Sequence, residues 1–540
     1  PGSMMDVRSL SISDPDRRVQ DRISKLTPEE IGYHKVKSLT QDGNPLSYEV
    51  FGTVLKATLA EPIPPYGLAN FGMIWDAQVP LQIRRSGRDN KEGIEFTMTQ
   101  WYPKIAEYDA NGWHADQYVG REFYGVWGDF EVNISIDKKY VLAGTGLLQN
   151  PKEVGYGYAG HNSGRGQKGS KRTWEFKAER VHDFAFAADP DFVHDQVQIE
   201  NGPLVHLLYD PKTANVANWR KLQEGYLQKY FDFMSEHFGT YPYAEFSIIQ
   251  GGDGGMEYPM CTMILGGGES FEGFTGLFVH EATHNWYYGV LASNETLYPW
   301  MDEGFTTYAE ERCMQHLFGH EGDPFEGAYR NYVYIDTNGL REPLSTPGDH
   351  FNFNRVYSIS SYSAGALFLN QLQYIIGEAA FARTMHRYWD TWKFKHPTPE
   401  AFLRIAELES GLHLDWYLSY YVDQVKSIDY AVDSVKHVHN GTHIFLRRVG
   451  DFPMPLDVLV RFSDGSERTY NIPLLSMYGY KAEAAEMAQP WPWTHPTYTL
   501  EVPSGDLQIE AVQIDPSNRM LDIQRTNNRW TLPEQAVVEP

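Results

Sequence analysis

The chain has 540 residues, 42% hydrophobic and 22% charged, with a formal net charge of −25. That composition excludes a disordered polypeptide, and the acidic balance excludes a generally basic nucleic-acid surface or docking on anionic lipid. The longest apolar runs fall short of the roughly 18 residues of a membrane span, so no membrane insertion is expected.

In chain order, residues 1–205 read mainly as β. Strand-like runs fall at Tyr48–Leu59, Gly93–Trp101, Phe130–Ile136 and Leu204–Leu208, and no strand pattern is visible before residue 48. The stretch 150–171, dense in Gly, Asn, Ser and Lys, reads as a long exposed loop. Near residue 210 the period changes. Val216–Phe238 carries helical spacing and ends at Gly239. Short strands follow at Phe246–Ile249 and Thr262–Leu265. Helical segments come next at about 272–290, 301–319, 361–376, 379–393, 398–409 and 413–424. The β pattern returns at Tyr430–His437, Thr442–Arg447, Leu456–Phe462, Thr469–Ile472, Thr497–Val502 and Ile509–Ile514. Asn440-Gly441 and Asp464-Gly465 mark hairpins among them. The expected architecture is a multidomain α+β chain: a β domain over 1–205, an α-rich domain with a small sheet over 206–426, and a β-sandwich over 427–540. Cys261 and Cys313 are the only cysteines, too few for a disulfide framework, and buried free thiols are expected.

The chemistry is concentrated in His280-Glu281-Ala282-Thr283-His284. Two histidines at i and i+4 share one helix face, about 6 Å apart along the axis, and can hold one Zn²⁺. Glu281 lies between them, placed to take a proton from a water that the ion activates. A catalytic zinc takes a third protein ligand and keeps one position open. Glu303 is the candidate, 18 residues beyond His284 at the start of another helical run. Alone, it would read as an acidic first-turn residue. Glu310, seven residues further, either buttresses a ligand or is solvated.

These residues, with the flanks Asn285-Trp286-Tyr287-Tyr288-Gly289 and Trp300-Met301-Asp302-Glu303-Gly304-Phe305, resemble the gluzincin signature of the aminopeptidase N family of zinc metallopeptidases. The resemblance implies an N-terminal β saddle, a thermolysin-like catalytic domain and a β-sandwich, an order that matches the pattern above. It implies one zinc per chain, held by His280, His284 and Glu303, with Glu281 as general base.

Gly254-Gly255-Met256-Glu257-Tyr258 is similar to the family's exopeptidase motif, although its usual final Asn is Tyr258 here. By resemblance, Glu257 pairs with the free α-ammonium of a peptide, and Gly254, Gly255 and Met256 offer backbone to it as an added strand. Without the family, this stretch is a turn before a strand. In Ser361-Tyr362-Ser363-Ala364-Gly365, Tyr362 matches the family's catalytic tyrosine, an oxyanion donor, although the Lys expected at 364 is Ala. Tyr357 is a further residue that could line the site. Thr99-Gln100-Trp101-Tyr102 resembles the family's amine-binding segment, with Tyr102 in place of its final Glu or Gln. Gln100 would line the first specificity pocket or serve as an ordinary strand residue.

The implied partner is a peptide with a free N-terminus, and no nucleic acid is expected. The alternatives are a zinc hydrolase with endopeptidase or epoxide hydrolase activity, as in the leukotriene-hydrolase branch, and a catalytically silent peptide-binding scaffold. The saddle is expected to be incomplete at its start. A soluble protein is expected, with a periplasmic or secreted location favoured over a cytoplasmic one; oligomeric state is open.

Overall fold

The computed structural model describes residues 1–158, 169–252, 254–268, 270–439, 441–482, 486–492 and 494–533. At its centre is a five-stranded sheet: β1 (Val193–Gln198), β2 (Leu204–Tyr209), β3 (Glu245–Gln250), β4 (Met256–Tyr258) and β5 (Cys261–Ile264), in the order β1-β2-β3-β5-β4. The pairs β2/β3 and β3/β5 are parallel; β1/β2 and β4/β5 are antiparallel. Successive strand residues point to opposite faces, and β2, β3 and β5 are buried on both. Val205, Leu207, Phe246, Ile248 and Ile264 enter the large core shared with the helices. Leu208, Ile249, Met256, Tyr258, Cys261 and Met263 enter a second core with residues of the first 190 positions. The central strands are therefore buried on both faces, the outer strand β1 is partly exposed, and β4 is the other edge strand.

Three helices matter most. The first, α1 (Phe271–Tyr287), starts at Ser270, whose side chain accepts from the Gly273 N–H at 3.1 Å. Next, α2 (Pro299–Phe318) begins with Pro at its first turn and ends at Gly319, a left-handed cap with φ 67°. Then α3 (Gly365–Ile376) follows a π-type turn over Ile359–Ala364. A Cβ placed on Gly304 would lie 2.4 Å from Gly365 Cα. The two backbones are thus in direct contact, which only a pair of glycines permits.

After residue 427 two sheets share one core. One holds Tyr430–Val438, Gly441–Arg448 and Thr497–Val502, and the other is centred on Leu456–Phe462. The Asp464-Gly465 hairpin forms, with Gly465 at φ 83°. Asn440 of the other expected hairpin lies outside the described residues, as do 159–168 of the expected loop.

Some local expectations are corrected. A strand does precede residue 48: Tyr33–Gln41 pairs antiparallel with Phe71–Gln78. Both are largely solvated on both faces, so the apolar alternation that marks a half-buried strand is missing. A helix, Met4–Ser11, precedes them, and the segment behind it lies against the α-rich region. Arg8 Nη2 donates to Phe351 O at 2.7 Å, and the Asp14 carboxylate accepts from the backbone N–H of Asn354 and Arg355. The expected single helix 216–238 is broken at Glu224-Gly225, where Gly225 takes φ 92°. Helix Glu326–Thr337 was not expected. Its buried face is only Ala328, Tyr332 and Ile335, a weak apolar stripe. Cys261 and Cys313 are buried and unpaired. Among the described residues no helix is long and apolar enough to cross a membrane.

Candidate active site

His280, Glu281 and His284 sit on α1, and Glu303 is on the first turn of α2. The two Nε2 atoms are 3.2 Å apart, and each is 3.3 Å from Glu303 Oε2. That oxygen is buried without a hydrogen-bond partner. The other imidazole nitrogens are engaged. His280 Nδ1 is 2.7 Å from Glu310 Oε2, and His284 Nδ1 is 2.5 Å from Asp302 Oδ1. A carboxylate accepts, so each Nδ1 carries the proton and each Nε2 can direct its lone pair toward Glu303. Two imidazole lone pairs and an orphaned carboxylate oxygen thus converge, the His₂Glu donor set of catalytic zinc. The residues fit the ion, and Glu310 takes the buttressing alternative.

Glu281 points away from this triad, toward Gly255. A Cβ on Gly255 would meet Glu281 Oε1 at 1.8 Å, so glycine there makes room for the carboxylate. Burial pushes the Glu281 carboxyl up to about 7, against the opposing pull of His280 and His284. Tyr362 stacks on the His280 ring at 5.7 Å and donates its hydroxyl to Glu303 Oε1. The π-type turn presents it: one extra residue per turn rotates Tyr362 out of the helix register.

Glu257 lies on β4, 4% exposed, and its Oε1 has no hydrogen-bond partner. Burial raises its pKa well above the usual carboxylate range, with His284 opposing. Carboxylate oxygens of Glu122 and Glu295 come within 4.8 Å of a Glu257 oxygen and of each other. Glu122 is bound by both ends of the Arg85 fork, at 2.6 Å for Nη2–Oε1. Glu295 Oε2 accepts from the Phe123 N–H at 3.1 Å, and its Oε1 has no partner.

These groups line one cavity of about 270 Å³: Gly255, Met256, Glu257, His280, Glu281, His284, Glu303, Tyr357 and Tyr362 from the later part of the chain, and Arg18, Arg84, Arg85, Gly120, Arg121 and Glu122 from its first 122 residues. Of the sequence-derived residues, Gly254 and Gln100 are not among those lining it. Gln100 Nε2 donates to Asp183 Oδ2. Tyr102 OH and Lys104 Nζ join it there at 3.1 and 2.9 Å. Asp183 is fully buried and takes these donors for its own charge, which draws Gln100 away from the cavity. The sequence reading also missed Asp302, Glu295, Glu122 and the four arginines. Asp302 was within reach, because a carboxylate beside a ligand is where a zinc-bound histidine finds its acceptor. The others stand outside any motif.

Residues 226–421 match the model of the peptidase family M1 domain. Aminopeptidase B of Rattus norvegicus is 24% identical over 290 residues, 49% of this chain and 41% of that protein. Leukotriene A-4 hydrolase of Xenopus laevis is 28% identical over 188 residues, 33% of this chain and 28% of that protein. The chain thus spans less than half the length of these relatives. Among solved structures, the M1 zinc metallopeptidase of Deinococcus radiodurans superposes with a TM-score of 0.53 at 17% identity, over 70% of this chain and 81% of that one. Aminopeptidase A of Legionella pneumophila, in complex with aspartic acid, gives 0.61 at 13% identity, over 91% of this chain and 54% of that one. The stretch 226–421 and these relatives thus make the chain similar to M1 zinc metallopeptidases, and the solved structures share its fold.

Proposed function

We propose that the protein is a zinc-dependent aminopeptidase that removes N-terminal residues from peptides. The observation that carries this is Glu257, a buried carboxylate with an unpartnered oxygen, in the same cavity as His280, His284, Glu303, Glu281 and Tyr362. One zinc per chain, held by His280, His284 and Glu303, supplies Lewis acidity to the scissile carbonyl and makes water more acidic.

The chain's own residues do the rest. The peptide's α-ammonium pairs with Glu257, which fixes how far the scissile bond lies from the chain end. Because β4 is an edge strand, the peptide can add beside it through backbone hydrogen bonds. Glu281 takes a proton from the attacking water and delivers it to the leaving amine. The Tyr362 hydroxyl turns from Glu303 to the developing oxyanion.

The test compares a free peptide with its N-acetylated form. The free peptide should be cut and the blocked one left intact. Equal rates would remove Glu257 as the anchor and favour an endopeptidase. Glu281→Gln should keep stoichiometric zinc while turnover falls about 10²- to 10⁴-fold. Full turnover in that variant would remove Glu281 as the base.

A further inference from the structure

The cavity that holds the zinc ligands is also lined by arginines, and the exopeptidase reading does not account for them. Four arginines stand there, from three stretches of the first 121 residues: Arg18, Arg84 with Arg85, and Arg121. Arg85 has its anion, the buried Glu122 carboxylate. Arg121 is held differently. Its guanidinium lies 3.8 Å over the centre of the Tyr357 ring. Nε donates to Gly348 O at 3.4 Å and Nη2 to Asn354 Oδ1 at 2.5 Å. All three partners are neutral. Nearby Asp349 also feels Arg8, so one carboxylate faces two guanidiniums. Arg18 and Arg84 border the same cavity and share Asp16, at 2.9 and 3.7 Å.

An arginine clamped by an aromatic face and two carbonyl oxygens has already lost its rotamer freedom, and its planar fork matches a carboxylate. Glu257, Glu281 and Glu303 line the same space. The cavity thus offers both carboxylates and guanidiniums to one ligand. At about 270 Å³ it lies near the lower end of ligand pockets, about 300–1,000 Å³. We propose that Arg121 forms the centre of a carboxylate subsite, so that the preferred substrates are peptides with a carboxylate close to the N-terminal residue. Resting on the aminopeptidase reading, this names its substrate class: the ammonium goes to Glu257 and the carboxylate to the arginine wall. Two sources supply that group, the C-terminus of a di- or tripeptide and an acidic side chain at the first or second position.

The experiment uses the full chain loaded with zinc and peptides that differ only in the carboxylate. Leu-Ala-Ala against its C-terminal amide tests the chain end. Glu-Ala-Ala amide against Gln-Ala-Ala amide, and Leu-Glu-Ala amide against Leu-Gln-Ala amide, test the side chains. In at least one pair the carboxylate member should have kcat/KM about tenfold higher, as one charge-assisted bidentate contact supplies. The pair that shows it identifies the source. In Arg121→Gln that ratio should fall to about one, and Arg121→Lys, which keeps the charge but not the fork, should fall between. Binding of the same pairs to zinc-loaded Glu281→Gln, measured by calorimetry, reads the subsite without turnover. Ratios near one in every pair, in turnover and in binding, overturn the subsite while leaving the aminopeptidase intact. Absence of hydrolysis in all pairs, with the binding preference retained, overturns the aminopeptidase and keeps the subsite.

Discussion

At the scale of single residues, the site depends as much on missing atoms as on functional groups. Gly255 presents bare backbone where a methyl group would collide with Glu281 Oε1. Gly255→Ala should therefore push the carboxylate aside. We expect kcat/KM to fall more than about tenfold while the melting temperature changes little, because a shift of about 1 Å in a reacting group costs about 10²-fold. Steady-state kinetics beside a thermal melt checks this. Tyr362→Phe should lower kcat about 10²- to 10³-fold, the loss found when one oxyanion donor is removed. Metal analysis of that variant should still show zinc, since the lost hydroxyl bonds Glu303 Oε1 and not the converging Oε2, and the ring that stacks on His280 is kept. The ligands and the base were legible in the sequence because helix geometry alone ties His280, Glu281 and His284 together. Asp302 was visible but unassigned, and of the two readings of Gln100 the pocket-lining one does not match its bond to Asp183, whose demand for donors nothing in the sequence announces.

At the scale of elements, α1 and α2 bring the ligands together, and the contact of Gly304 with Gly365 sets how closely α2 meets the π-turn. Gly304→Ala should force these backbones apart. The expected cost is about 1–3 kcal/mol of overpacking, and zinc should bind more weakly because Glu303 is the neighbouring residue. Denaturant unfolding and a zinc titration read the two effects. The elements that sequence reading placed well are those with a strong single period: Leu456–Phe462, Thr497–Val502 and Ile509–Ile514 agree to the residue. Those it missed are where the period carries no information. Glu326–Thr337 has too thin an apolar stripe, Tyr33–Gln41 buries only Leu39 and Gln41, and Gly225 slips the phase of an otherwise helical run.

At the scale of the whole molecule, the active site is closed by the first 122 residues, which pack on the sheet through Leu208, Ile249 and Met263. The Arg85–Glu122 pair is buried in that closure. Glu122→Ala would leave Arg85 buried without its anion, and breaking such a pair costs about 3–5 kcal/mol. Urea unfolding of the variant against the parent measures it. Zinc removal should act on the same scale. A chelator should lower the melting temperature, and added zinc should restore it, because the ion binds the folded arrangement of His280, His284 and Glu303. None of the arginine wall was legible in the sequence: Arg18, Arg84 and Arg121 are far apart along the chain and meet only through tertiary packing.

That closure also bears on modularity. The central strands of the sheet have no solvent face to fall back on, and the cavity has no complete wall without the N-terminal residues. A fragment starting at residue 206 would expose Leu208, Ile249 and Met263 together and hold zinc in an open trough. The catalytic half is therefore not an autonomous unit. An exchange of the leading segment with that of a relative would transplant one side of the recognition surface while leaving the reaction chemistry behind. Selectivity and catalysis can thus drift independently in this architecture, because they are carried by different stretches of one polypeptide.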